Sequence, residues 1–151
     1  MARLYSRKKG KSGSKTFVEL KKPSWQTHKP DEVELLVVKL AKQGLPPSQI
    51  GMELRDSYGI PDIKILCGKT VSQILAAKKL LKELPEDLMA LIKKSIQITQ
   101  HLENNKHDQP AKRGLLLTES KIRRLVKYYK GTGRLPQSWK FDPDKIRLLI
   151  E

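Results

Sequence analysis

His101 and Asp108 lie seven residues apart, and they are the nearest thing in this chain to a catalytic pair. A histidine beside a carboxylate suits general acid–base chemistry. That chemistry also needs a nucleophile, a phosphate-cradling glycine loop or a second carboxylate, and no motif supplies one. The bland reading of His101 is a polar residue at a helix end. His28, His101 and His107 have no metal-ligand spacing. Cys67 is the only cysteine, so neither an intrachain disulfide nor a cysteine-based zinc set can form. It sits among aliphatic residues in IKILCGK, which reads as small core filler, with a reactive thiol as the alternative. These residues predict no enzyme activity, no cofactor, no metal and no small-molecule substrate.

The cations have more to offer. In KRGLLLTESKIRRLVKYYK, Lys121, Arg124 and Tyr128 fall at i, i+3 and i+7 and share one helical face. Lys112, Arg123 and Lys127 flank them. Lys and Arg neutralise phosphates and release counterions; a tyrosine stacks on a ribose or base, or hydrogen-bonds to a phosphate. A solvated helix face is the bland reading, but acids are nearly absent: only Glu119 stands four residues from a cation, Arg123. The formal net charge of +15 is concentrated in the same way. Residues 1–29 hold nine Lys/Arg and one Glu, and residues 106–134 hold nine Lys/Arg and two acids. The stretches 30–105 and 135–151 are each neutral. A balanced scaffold with two anion-seeking blocks points to nucleic acid as the partner.

One stretch, HDQPAKRGLL from His107 to Leu116, looks like a badly signed helix start. Lys112 and Arg113 lie in its first turns, where the macrodipole prefers anions by roughly 0.3–1 kcal/mol. Gly114 adds about 1 kcal/mol relative to alanine. A helix N-terminus also offers free N–H groups and positive potential. The added cations cost the free protein a little and favour an anion, so the hairpin end reads as a phosphate grip. Gly114 would let an RNA backbone, or the facing helix, come close.

The elements that must position these residues are helices. Hydrophobic residues are 38% of the chain and aromatic ones 5%, so the core must be lean and mostly aliphatic. No run approaches the ~20 apolar residues of a membrane span, and MARLYSRKKGKSGS lacks the apolar region of a secretory signal. Residues 1–29 read as a basic extended arm: a solubilising tail, or better, an arm that orders on RNA through Arg3, Arg7, Lys8, Lys9, Lys11 and Lys15. Trp25 looks like its anchor on the core. Residues 30–83 read as a small helical subdomain. Its helices start at Pro30, near Pro47 and near Thr70, with Gly44 and Gly59 as stops and IPDIKIL as an extended crossover. Pro85, Glu86 and Asp87 open a long helix whose stripe is Leu88, Leu91, Ile92, Ser95, Ile98, Thr99 and Leu102. A second long helix, from about Gln109 to Lys130, carries Leu115, Leu116, Glu119, Ile122, Leu125, Val126 and Tyr129. The short link makes the two antiparallel neighbours. Asp142 and Pro143 start a last short helix, 143–150. The fold class is all-α: an antiparallel long-helix hairpin with a small N-terminal helical subdomain, an extended basic arm and a short C-terminal helix. The third region, 84–151, carries the hairpin and that last helix.

With the motifs laid out, residues 84–130 resemble the universal "fifteenth" small-subunit ribosomal protein family. The signature H-x6-D-x4-R-G-L-L is carried by His101, Asp108, Arg113, Gly114, Leu115 and Leu116. It is followed by a basic helix with Arg123, Arg124, Leu125 and Tyr128. The PSW motif, IPDIK and LPQSWKFDP extend the likeness over the whole chain, in its archaeal and eukaryotic form, whose eukaryotic member is counted as the thirteenth. The resemblance implies a cytoplasmic, non-enzymatic constituent of the small subunit that binds a central-domain three-way junction of its rRNA and an adjacent helix. Neighbouring ribosomal proteins are implied partners. By motif position, His101 and Asp108 contact bases or sugars at the hairpin end, with Lys112 and Arg113 beside them. Arg124 and Tyr128 lie at the junction surface, with Lys121, Arg123 and Lys127. Where the family often has a second histidine this chain has Asn105, and where it often has serine, Ala111. Asn105, Lys106 and Gln109 are placed to compensate. Two other classes compete: a helix-turn-helix-like DNA-binding regulator built on 30–80, weakened by that segment's neutrality, and an interaction domain with a basic tail.

Overall fold

The structure, a computed structural model, describes Gly10, Gly13 and residues 21–142. Every regular element among them is a helix. The arm cations Arg3, Arg7, Lys8, Lys9, Lys11 and Lys15 and the expected last helix, 143–150, lie outside the described residues. Two compact units meet in sequence between Glu83 and Leu84.

The first unit is built on α1 (Pro30–Lys42), α2 (Pro47–Ser57), α3 (Ile63–Cys67) and α4 (Val71–Ala77). Proline opens α1 and α2, where its missing N–H costs nothing. Val33, Val37 and Leu40 recur on one face of α1 and are buried against Ile50 and Leu54 of α2, and Ile74 and Leu75 of α4. Thr70 caps α4: its Oγ1 accepts from the Gln73 N–H at 3.3 Å, and the Gln73 side chain accepts the Thr70 N–H at 2.8 Å.

The expected crossover is helical instead. A start signal within IPDIKIL and a stop signal just beyond it are concealed by its aliphatic content. Asp62 Oδ1 accepts the Lys64 N–H at 2.8 Å and so starts α3. Gly68, at φ +67°, ends it in the left-handed region that a side chain would resist. Ile63 is buried in the core while Cys67 packs at its edge, its thiol donating to the Pro30 carbonyl at 3.6 Å. Burial and the nearby Glu34 carboxylate push that thiol up from its ordinary pKa. Trp25 does not anchor the arm. It is 70% exposed, and its neighbour Gln26 is the buried residue.

The second unit is the hairpin of α5 (Glu86–Asn104) and α6 (Gln109–Gly131). Leu88 and Ile92 of α5 meet Ile122 and Val126 of α6, and Leu135 closes the end. The α6 stripe departs from expectation at Leu116, which is 67% exposed; Thr118 is buried in its place. The i+3/i+4 rule allows either set near the helix start. Thr118 can enter because its hydroxyl donates to the Gly114 carbonyl at 2.9 Å, leaving no polar group unmet. Ser95 is accommodated similarly, donating to the Ile92 carbonyl at 2.8 Å.

Two carboxylates tie the hairpin, and their positions show that it is antiparallel. At one end Asp108 bridges to His101. At the other the Tyr129 hydroxyl donates to Asp87 Oδ2 at 2.6 Å, joining the end of α6 to the start of α5. Burial first, then this bond, pushes the Tyr129 pKa up from 10 to about 12. The protonated phenol is the form the fold favours, so its contribution is complete below pH 10 and is lost between pH 10 and about 12. Tyr129→Phe is expected to cost about 1 kcal/mol near neutrality. That deficit should shrink as the pH passes 10, and denaturant titrations of both proteins at a series of pH values check it.

Candidate nucleic-acid interface

The site begins with the cap of α6. Asp108 is the N-cap residue: its Oδ1 accepts the Ala111 N–H at 2.9 Å, and Pro110 sits in the first turn. This resolves the badly signed helix start. The anion that the dipole prefers is present one position before the helix, and it offsets Lys112 and Arg113. The signal was in the sequence as Asp-Gln-Pro, an acidic N-cap followed by a proline.

Asp108 does a second job with its other oxygen. His101 Nε2 lies 2.9 Å from Asp108 Oδ2, and Asn105 Nδ2 lies 3.3 Å from His101 Nδ1 and 3.0 Å from the His101 carbonyl. A neutral imidazole with its proton on Nε2 satisfies both side-chain contacts: it donates to Asp108 and accepts from Asn105. The capping bond to Ala111 first, and then the His101 bond, hold the Asp108 carboxyl below the usual aspartate range. Both ring nitrogens of His101 are therefore engaged in the free protein. Its exposed ring edge and face, and the remaining lone pairs of Asp108, are what a partner can meet. No group of three or more His, Cys, Asp or Glu side chains suited to a metal ion occurs among the described residues.

Gly114 has open space where a Cβ would be: beyond its chain neighbours and its own helix backbone, no heavy atom lies within 4 Å. The facing helix does not come close there, so close approach is left to an external partner. Gly114→Ala should raise the stability of the free protein by up to about 1 kcal/mol, because helix propensity improves and nothing clashes. If an RNA backbone docks on this spot, the same change weakens binding. Thermal denaturation and an RNA titration on one protein separate the two effects.

Along α6 the expected cations stand in the open. Lys112, Arg113, Lys121, Arg123, Arg124 and Lys127 are all exposed, as are His101, Asn105 and Lys106 at the turn. The Tyr128 ring is 62% exposed and stands edge-on to Tyr129, with centroids 5.3 Å apart. Arg123 bonds Glu119 at 3.0 Å, the one pairing the sequence suggested. Every site residue expected in the hairpin therefore belongs to one unit, on the face of α6 opposite its core and on the adjoining turn.

Known proteins give this face its context. Residues 1–60 match the family model described as the ribosomal S13/S15 N-terminal domain, and residues 72–149 match the one described as ribosomal protein S15. The chain is 49% identical, over the full length of both sequences, to the small ribosomal subunit protein uS15 of Methanococcus vannielii. It belongs to the ribosomal protein S15 family. S15 proteins are structural ribosomal constituents and not enzymes. The helical hairpin and basic helix fit that family's all-helical fold. The regulator reading based on a helix-turn-helix gives way to this membership.

Proposed function

We propose that this S15-family chain holds a folded three-way junction of small-subunit rRNA, and the helix beside it, in its assembled geometry. The carrying observation is the outer face of α6: a row of exposed cations, running into a turn whose polar edge is already bonded in place. Arg124, Lys121, Lys127 and Tyr128 meet backbone phosphates and riboses at the junction. The His101–Asp108 edge, with Asn105, Lys106, Lys112 and Arg113, reads the shape of a minor groove. Arg123 adds charge at the margin. The basic arm, residues 1–29, follows the RNA surface, and the neutral 30–83 unit faces neighbouring ribosomal proteins. The setting is the cytoplasmic small subunit.

The test is binding to a central-domain three-way junction beside a paired control without the junction, at two salt concentrations. Tight junction binding that survives the higher salt supports shape recognition. Arg124→Ala should weaken binding to both RNAs and lower the salt slope by about one unit. His101→Ala should chiefly erode discrimination. Equal losses on cognate and control RNA would contradict the groove-reading role.

A further inference from the structure

Beyond the basic face, the second unit has an open hollow to which the family resemblance assigns no contact. It is about 460 Å³ and lies between the second half of α6 and the segment that returns along it. That size falls within the roughly 300–1,000 Å³ of small-ligand sites. Val126, Trp139 and Phe141 line its apolar part, and Arg123, Lys130 and Lys140 its cationic part. An adjoining hollow extends it along α6 past Lys127 to Gly131 and Gln137.

The walls are built, not incidental. Lys130 Nζ donates to the Gln137 carbonyl at 2.8 Å, and Gln137 Nε2 donates to the Lys130 carbonyl at 3.2 Å. The Leu135 N–H bonds the Tyr129 carbonyl at 3.2 Å, and the Trp139 N–H bonds the Pro136 carbonyl at 3.1 Å. The return segment is thus held on α6. The chain has only two Trp and two Phe, and one of each lines this hollow. Both are half-buried: they pack on the α5–α6 core and still border open space.

An apolar aromatic wall beside several cations is the chemistry of a site for an unpaired nucleotide: a base stacks on the ring, and its phosphate is neutralised at the rim. The cations have capacity left. One guanidinium nitrogen of Arg123 is used by Glu119, and one ammonium proton of Lys130 by Gln137. Glu119 also borders the hollow and offers an acceptor to the exocyclic amine of a base.

We propose that this hollow receives a single unpaired, amine-bearing nucleotide of RNA, stacked on Trp139 with its phosphate toward Arg123, Lys130 and Lys140. The inference rests on the RNA-binding reading above, because the hollow continues the cationic face of α6 at Arg123 and Lys127. It adds a single-strand contact to a face otherwise assigned to folded RNA.

The test uses the full chain carrying Trp25→Phe, so that Trp139 is the only indole. A short oligoadenylate should quench its emission, and a blunt RNA duplex should leave it largely unchanged. Lys140→Glu, an exposed position, should weaken oligoadenylate binding roughly tenfold. Trp139→Leu should weaken it by a similar factor or more, as loss of one stacked base predicts. Emission unmoved at saturating oligoadenylate, or quenched equally by the duplex, overturns the proposal. So does Lys140→Glu binding as tightly as its parent, a result that does not depend on how the indole packs. Junction binding that persists while Trp139 stays silent would sink this site alone. Trp139 quenching without junction preference would sink the junction reading and leave the site standing.

Discussion

Ile122→Ala is expected to lower the stability of the hairpin unit by about 2–5 kcal/mol. Ile122 is fully buried where α6 meets Leu88 and Ile92 of α5, and Val126 and Leu135 complete a small core. Among the described residues few share the burial, and little can move to fill the space left by three carbons. Domains of this size are commonly stable by only about 5–15 kcal/mol, so the loss would be a large fraction of the total. Leu116→Ala on the same helix is the matched control. Its side chain is mostly in solvent, and the change should stay within about 0.5 kcal/mol. Denaturant midpoints of the two variants decide the matter: equal losses would mean that the assignment of the inner face of α6 is wrong.

Replacing Lys121, Arg124 and Lys127 together by alanine is expected to reduce the salt dependence of RNA binding by about three units of log–log slope, one for each phosphate contact. Removing Lys39, Lys64 and Lys82 from the neutral region lowers the net charge equally and should leave the slope nearly unchanged. All six residues are exposed, so neither triple change should disturb a core. Titrations at several salt concentrations compare them. Equal slopes for the two triples would show that the protein binds through its overall charge and that the face of α6 has no special part.

Much of this was legible in the sequence wherever a physical constraint is local. Pro30, Pro47 and Pro85 mark helix starts because a proline is tolerated in the first turn, and α1, α2 and α5 begin on or just after them. The cationic face of α6 was readable because its helical spacing separates it from Ile122 and Val126. Three features were not readable for the same reason that these were. IPDIKIL has strand-like aliphatic content, and its helix depends on one aspartate cap and one left-handed glycine. Leu116 satisfies the apolar spacing as well as Thr118 does, and only the packing of α5 against α6 chooses between them. Trp25 is large and apolar, yet whether such a residue is covered depends on tertiary neighbours that no local pattern specifies. In the candidate site, the exposure of the α6 cations followed from their spacing, but the double duty of Asp108 was hidden. His101 and Asp108 are seven positions apart, and only the reversal of the chain at the turn brings the ring to the carboxylate.

If the turn reads an RNA groove as proposed, that double duty has a kinetic consequence. One carboxylate caps α6 and fixes the His101 ring, and Asn105 holds the ring from its other side. The conformational entropy of the turn is lost when the protein folds, so no ordering step at this edge has to follow the first encounter. The rate of RNA capture at the turn is then governed by how often the charged surfaces meet, which rises as salt falls. An RNA whose groove departs from the preset edge gains nothing by waiting for the protein to adapt, and it leaves quickly. On that reading, a stiff edge of this kind would sort RNA shapes through the time each stays bound.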